Sequence, residues 1–217
     1  MVDPKGKARR GVGRRTTRPY VWLYNAMNQN LERMKEEEGS FYEALQGLMS
    51  AAFLVESYLN TVGEQLFRDW DAKPAKGKSK AFQSIPEKLK LILREMDCYS
   101  ARSGTSYTER IDPGSDKRHS SLSQVTSFRT AIAHGREETV SGEWHSIDGE
   151  AGMRGLESDW ERLLEDGDKV RVLCTDCVSL VKTLNKMLRE AGRTDIAPYQ
   201  HPFFSAASAF GWVDEGD

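Results

Sequence analysis

The chain has 217 residues, 38% of them hydrophobic and 29% charged, and a formal net charge of −2. That length and apolar content suit one mid-sized domain with a buried core, with or without tails. The longest unbroken apolar run is five residues, Ala51 to Val55, so no membrane-spanning helix is expected. No apolar stretch of secretory length precedes the polar cluster Asn28, Gln29 and Asn30, so no export signal is expected either. Three cysteines, an odd and small number, argue against a disulfide-stapled scaffold and for a reduced, cytoplasmic setting.

The small net charge hides an uneven distribution. Lys5, Lys7, Arg9, Arg10, Arg14, Arg15 and Arg18 follow one another without an acid between them, and removing these seven leaves 24 basic against 33 acidic residues, a balance of −9. A Gly-rich arm so poor in apolar side chains cannot bury enough surface to fold alone, so residues 1–18 are expected to be a mobile basic arm. It is either a solvated tail or a contact to nucleic-acid phosphates that releases counterions.

After the arm the sequence reads as successive helices. Pro19 suits a first helical position, and a helix is predicted from Tyr20 to about Glu37, stopped at Gly39. Ser40 with Glu43 has capping-box spacing, and Leu45, Leu48, Met49, Ala52, Val55, Leu59, Val62 and Leu66 recur at three and four, predicting a long amphipathic helix that ends near Trp70. Asp71 to Gln83, with Pro74, Gly77 and Lys73, Lys76, Lys78 and Lys80, reads as an exposed connection.

Ser84 with Glu87 repeats the capping pattern before Leu89, Ile92, Leu93 and Met96, and residues 100–118 read as a long loop. A fourth helix is predicted from about Ser120 to His134 through Leu122, Val125, Phe128 and Ile132, with Gly135 as a left-handed cap. A short hairpin through Val140 to Ile147, within 138–150, is weakly signalled. Ser158 and Glu161 then open one last long helix through Leu163, Leu164, Val170, Leu173, Cys174, Cys177, Val181, Leu184 and Leu188, closed by Gly192.

With no internal repeat and no alternation of strand and helix, the expected architecture is all-α: an up-and-down bundle of about five helices over residues 19–192, and a tail over 193–217. Phosphate-gripping glycine loops, a G-x-S-x-G elbow and an H-E-x-x-H zinc helix are absent from the sequence. Cys174 and Cys177 have redox spacing but lie in an apolar stripe, so they read as core residues. Trp144-His145 could stack a base but reads as packing, His119 as solvated or capping, His201 as a tail residue without discernible partners, and Glu36 to Glu38 as an exposed run.

Two charges do not fit this pattern. Wound at about 100° per residue, the apolar side chains of the fourth helix cover an arc of about 120°, and Arg129 falls inside it between Leu122 and Val125. Glu56 falls likewise between Leu45 and Met49 on the second helix. A guanidinium cannot shed its charge when buried, so Arg129 needs an acceptor, a partner subunit or an anionic ligand, and the expectation is that it meets Glu56. His134 follows five residues later at the carboxyl end, where exposed helix carbonyls favour an imidazolium suited to proton transfer.

Arg129-Thr-Ala-Ile-Ala-His134-Gly135 near the end of a long helix resembles the Arg-x4–6-His signature of the HEPN (higher eukaryotes and prokaryotes nucleotide-binding) superfamily. Ala51 to Asn60 and Glu87-Lys88-Leu89 are similar to segments of some members, so the resemblance spans roughly residues 40–190. It implies a helical bundle, a homodimer in which two Arg/His motifs meet, and metal-independent RNA cleavage without a cofactor, often in toxin or antiphage defence systems with an antitoxin or other partner protein. By that resemblance His134 would move protons and Arg129 would contact phosphate. Glu56 would hold the guanidinium, and Thr130, Arg136 and Asn60 would contact RNA. Thr130 stands where the family often has Asn. The competing reading keeps Arg129–Glu56 as a structural ion pair and His134 as a helix-terminal residue of a noncatalytic helical interaction module.

Overall fold

The computed structural model describes residues 18–36, 41–68, 70, 84–134, 145–147, 150–154 and 158–203. The expectations for the basic arm over 1–17, the Ser40 cap, the lysine-rich connection, Gly135, Arg136, Trp144 and the last residues of the tail fall outside them, while Arg18, expected in the mobile arm, lies over the Tyr199 ring at 5.0 Å. The architecture is all-α, with helices α1 (Pro19–Glu36), α2 (Phe41–Leu66), α3 (Ile85–Ser103), α4 (Lys117–Ala133), α5 (Asp159–Glu165) and α6 (Gly167–Glu190). A small antiparallel hairpin, β1 (His145–Ile147) and β2 (Glu150–Arg154), lies between α4 and α5. No helix among the described residues is long and apolar enough to cross a membrane.

Helix α2 is the axis of the bundle and packs against α1, α3, α4 and α6. Leu48, Ala51, Ala52, Leu54, Val55, Leu59 and Val62 are all buried on it, because apolar or small residues at three- and four-residue spacing give it a broad inner face. Helix α1 runs antiparallel to α2. Tyr20 meets Tyr58 edge-on at 5.2 Å between ring centroids, while Leu31 reaches Gly47 near the other end of the pair.

Two predicted caps close as the spacing required. Ser84 donates its backbone N–H to Glu87 at 2.8 Å, and at Ser158 the exchange is reciprocal, with Ser158 N–H to Glu161 at 2.7 Å and Glu161 N–H to the Ser158 hydroxyl at 3.1 Å. Gly192 ends α6 with φ +74°, which lets Arg193 N–H reach back to Leu188 O at 2.9 Å.

Four expectations change. The last long helix is two helices: Asp166 accepts Lys169 N–H at 2.9 Å and so caps a new helix just after α5, giving six helices among the described residues in place of about five. The apolar spacing lapses at the corner, where Glu165 to Lys169 separate Leu164 from Val170, and resumes on α6. Helix α3 runs on to Ser103 and stops at Gly104, whose φ of +68° is left-handed, and α4 begins at Lys117 because Asp116 accepts Arg118 N–H at 2.8 Å. The assigned loop is therefore shorter at both ends. The hairpin lies later than expected, its strands flanking Asp148-Gly149, a dipeptide of the kind that favours two-residue hairpin turns.

The fourth change concerns the tail. Residues 193–203 pack on the bundle: Asn185 donates to Tyr199 O at 3.0 Å, Arg189 donates to Ala197 O and Pro198 O at 2.9 and 2.7 Å, and Phe203 stacks on Tyr24 at 4.3 Å. Buried Asn185 also accepts the Tyr58 hydroxyl at 3.2 Å, so one amide joins α2, α6 and the returning segment.

Candidate functional site

Glu56 and Asn60 are one turn apart on α2 and share a face. Three elements converge on them. From α4, Arg129 brings Nη2 to 3.3 Å from Glu56 Oε2. From α3, Lys88 Nζ lies 3.2 Å from Glu56 Oε1 and donates to Asn60 Oδ1 at 2.9 Å. Just past α2, the Trp70 indole N–H reaches Asn60 Oδ1 at 3.4 Å. The expected approach of Glu56 and Arg129 is thus what the structure has, with one carboxylate held between two cations.

The cluster is half-buried: side-chain exposure is 30% for Arg129, 24% for Glu56 and 16% for Lys88, so water still screens it. An ion pair this open contributes about 1 kcal/mol or less on its own. The Arg129 guanidinium also lies 5.3 Å from the Phe53 ring centroid, and its Nε is buried without a hydrogen-bond partner. Arg129 falls inside the angular arc of α4, whose buried residues are Ser121, Leu122, Val125, Phe128 and Ala131, but cover thins toward the helix end. Ile132, expected in the core, is 43% exposed there.

A groove of about 580 Å³ runs beside the cluster, bounded by Pro19 and Leu23 of α1 and by Phe53, Glu56, Asn60 and Glu64 of α2. Thr130 is half-buried and donates its hydroxyl to Thr126 O at 2.8 Å, back into its own helix. His134 is exposed and forms the carboxyl cap of α4, its backbone N–H reaching Thr130 O at 3.1 Å. No hydrogen bond or ion pair among the described residues joins its imidazole to the Arg129 cluster. Five residues of α-helix set two side chains about 140° apart around the axis and about 7.5 Å along it, which separates His134 from Arg129 within one chain.

Lys88 is the site residue that the inward-charge argument missed, although Glu87-Lys88-Leu89 was noted. It lies about 60° from Ile85 and about 40° from Ile92 on the α3 wheel, at the rim of the buried stripe, where a lysine stem can pack while its ammonium reaches across. Of the other candidates, Cys174 and Cys177 are fully buried, and burial pushes the Cys174 thiol up to about 12 and that of Cys177 well above its ordinary value. They are core residues. His119 is half-buried rather than solvated, its Nε2 lacks a partner, and Asp116 in its place caps α4. His201, expected to have no partner, packs edge-on against Phe203 at 5.9 Å. No cluster of metal-ligating side chains occurs among the described residues. Compared with family models, with curated proteins and with solved structures, the chain matches none.

Proposed function

We propose that the chain is a HEPN-like, metal-independent endoribonuclease or RNA-binding protein that works as a homodimer, in a toxin or antiphage defence setting with a partner protein. The observation that carries this reading is the Arg129–Glu56 pairing of α4 with α2, joined by Lys88. Within the cluster two cations face one carboxylate, which suits a phosphate there, while the groove beside it is lined by Glu56 and Glu64. The exposed Phe53 and Ile132 near Arg129 suit cover by a second copy, and a second copy would supply a His134 that its own chain places on another side of α4.

In that arrangement Arg129 and Lys88 bind and stabilise phosphoryl oxygens as negative charge develops on them. Glu56 fixes the guanidinium, and Asn60, Thr130 and Arg136 contact the flanking RNA. The ribose 2′-oxygen attacks the adjacent phosphorus while its proton passes to one His134. The P–O bond to the 5′-oxygen breaks, and that oxygen takes a proton from the second His134, leaving a cyclic phosphate and a free 5′-hydroxyl.

The test is RNA cleavage in the presence of a chelator. His134→Ala should abolish cleavage with an unchanged melting temperature, since the side chain is exposed; full residual activity refutes the assignment. A noncatalytic helical interaction module is the second reading, favoured by the fact that Arg129 already has its carboxylate and that His134 stands apart from the cluster. Under it the native chain cleaves nothing, with or without chelator.

A further inference from the structure

A second polar groove, of about 620 Å³, lies along the C-terminal half of α6, where Ser179, Lys182, Lys186 and Glu190 recur at three- and four-residue spacing. One wall is the segment after α3, through Glu109; the other is the segment after α6, through Gln200 and His201. Both carboxylates of the groove are engaged. Glu109 accepts from Thr183 at 2.9 Å and from Arg118 at 2.7 Å, contacts that hold its carboxyl below the usual range, and Glu190 accepts the Thr108 backbone N–H at 3.0 Å and the Thr108 hydroxyl. Arg189 is committed to the Ala197 and Pro198 carbonyls.

Lys182 and Lys186 are different: both are exposed, and neither has an ion pair or hydrogen bond among the described residues. Lys186 acts on Glu109 only through its field. One helical turn separates the two ammonium stems, about 6 Å between Cβ atoms, a spacing that lets both reach one phosphate or two adjacent ones. The groove's volume falls in the range of about 300–1,000 Å³ typical of small-ligand sites.

We infer that this groove binds a phosphate-bearing anion, with Lys182 and Lys186 as its cationic pair and Ser179 and His201 as polar contacts at its rim. The inference is independent of the Arg129 cluster. The shared chemistry is phosphate, carried either by a small molecule or by a polynucleotide backbone.

The experiment is amide NMR of the full chain, titrated with inorganic pyrophosphate and, separately, with an oligoribonucleotide. Shifts at Ser179–Glu190 and His201 are expected, distinct from those that the oligoribonucleotide causes around Arg129 and Lys88. If pyrophosphate produces them, the ligand is a small phosphate; if only the oligoribonucleotide does, the phosphate comes from a polymer. The double change Lys182→Glu, Lys186→Glu should weaken the bound probe by about tenfold or more, since charge-assisted contacts are lost. The milder Lys182→Gln, Lys186→Gln pair should weaken it less, with the thermal midpoint unchanged in both. Neither probe moving these amides, or charge reversal leaving affinity unaltered, overturns the proposal. His134→Ala leaves these titrations intact, so failure of RNA cleavage and failure of the groove are separate results.

Discussion

Glu56 on α2 and Arg129 on α4 stand 73 residues apart in sequence and 3.3 Å apart in space. Their carboxylate–guanidinium contact is made on one oxygen, while the other carboxylate oxygen faces Lys88. Removing Arg129 therefore leaves Glu56 with a cation, whereas removing Glu56 leaves two cations facing one another.

This asymmetry predicts unequal single mutants. Glu56→Gln should cost more stability than Arg129→Met, by about 1 kcal/mol, because like charges are left close together at partial burial. In a double-mutant cycle followed by urea denaturation, coupling of about 0.5–1 kcal/mol is expected between the two positions. Additive single effects would mean that the contact contributes nothing in solution.

Gly63 is required by Trp70. A Cβ at position 63 would overlap the indole ring, which lies flat against the end of α2. Gly63→Ala should destabilise the fold by about 1–3 kcal/mol through overpacking. The same change in a Trp70→Ala background should be nearly neutral, which denaturation midpoints of the four chains would show.

His119 gives stability a dependence on mildly acidic pH. Burial lowers its pKa, Lys90 lowers it further, and Asp116 partly opposes them. The folded chain thus binds fewer protons than the unfolded chain around pH 6. The stability involved is fully present above the unfolded value of about 6.5 and is lost as pH falls through the lower folded value. Melting temperature should decline from pH 7 to pH 5, and His119→Gln should flatten that decline. The lowered carboxyls of Asp116 and Glu109 act in the same direction at lower pH, so a residual acid slope is expected in the variant.

Thiol chemistry should divide the three cysteines. Cys98 is exposed, while Cys174 and Cys177 are buried and held as thiols. A disulfide reagent at pH 8 should titrate one thiol rapidly in the native chain and all three in denaturant. Two fast thiols would contradict the core placement of the Cys-x-x-Cys pair.

Much of the helical plan was legible because its signals are local. Ser84-x-x-Glu87 and Ser158-x-x-Glu161 each name a helix start, and Gly192 names an end. The corner at Asp166 was marked only by the run Glu165 to Lys169, five residues without an apolar side chain between Leu164 and Val170, and its capping aspartate looks like any exposed acid. At the site, the meeting of Glu56 with Arg129 followed from two charges lying in two inward arcs. Lys88 escaped because it sits at the rim of its arc, and Asn60 takes its partners, Lys88 and Trp70, from segments whose positions depend on tertiary packing. The exposure of Ile132 shows the limit of angular reasoning: the wheel gives direction, and the length of neighbouring helices decides cover.

Arg18 lies over Tyr199, and Tyr20 and Tyr24 both touch Phe203, so the first helix and the returning segment after α6 are neighbours. A short Gly-Ser bridge between positions 18 and 203 would need to span only a small gap, and the polypeptide could then be opened elsewhere, in the stretch between α2 and α3, without disturbing the helix contacts described. Such a rewired molecule would keep the Arg129 cluster and the α6 groove, with its new ends between α2 and α3.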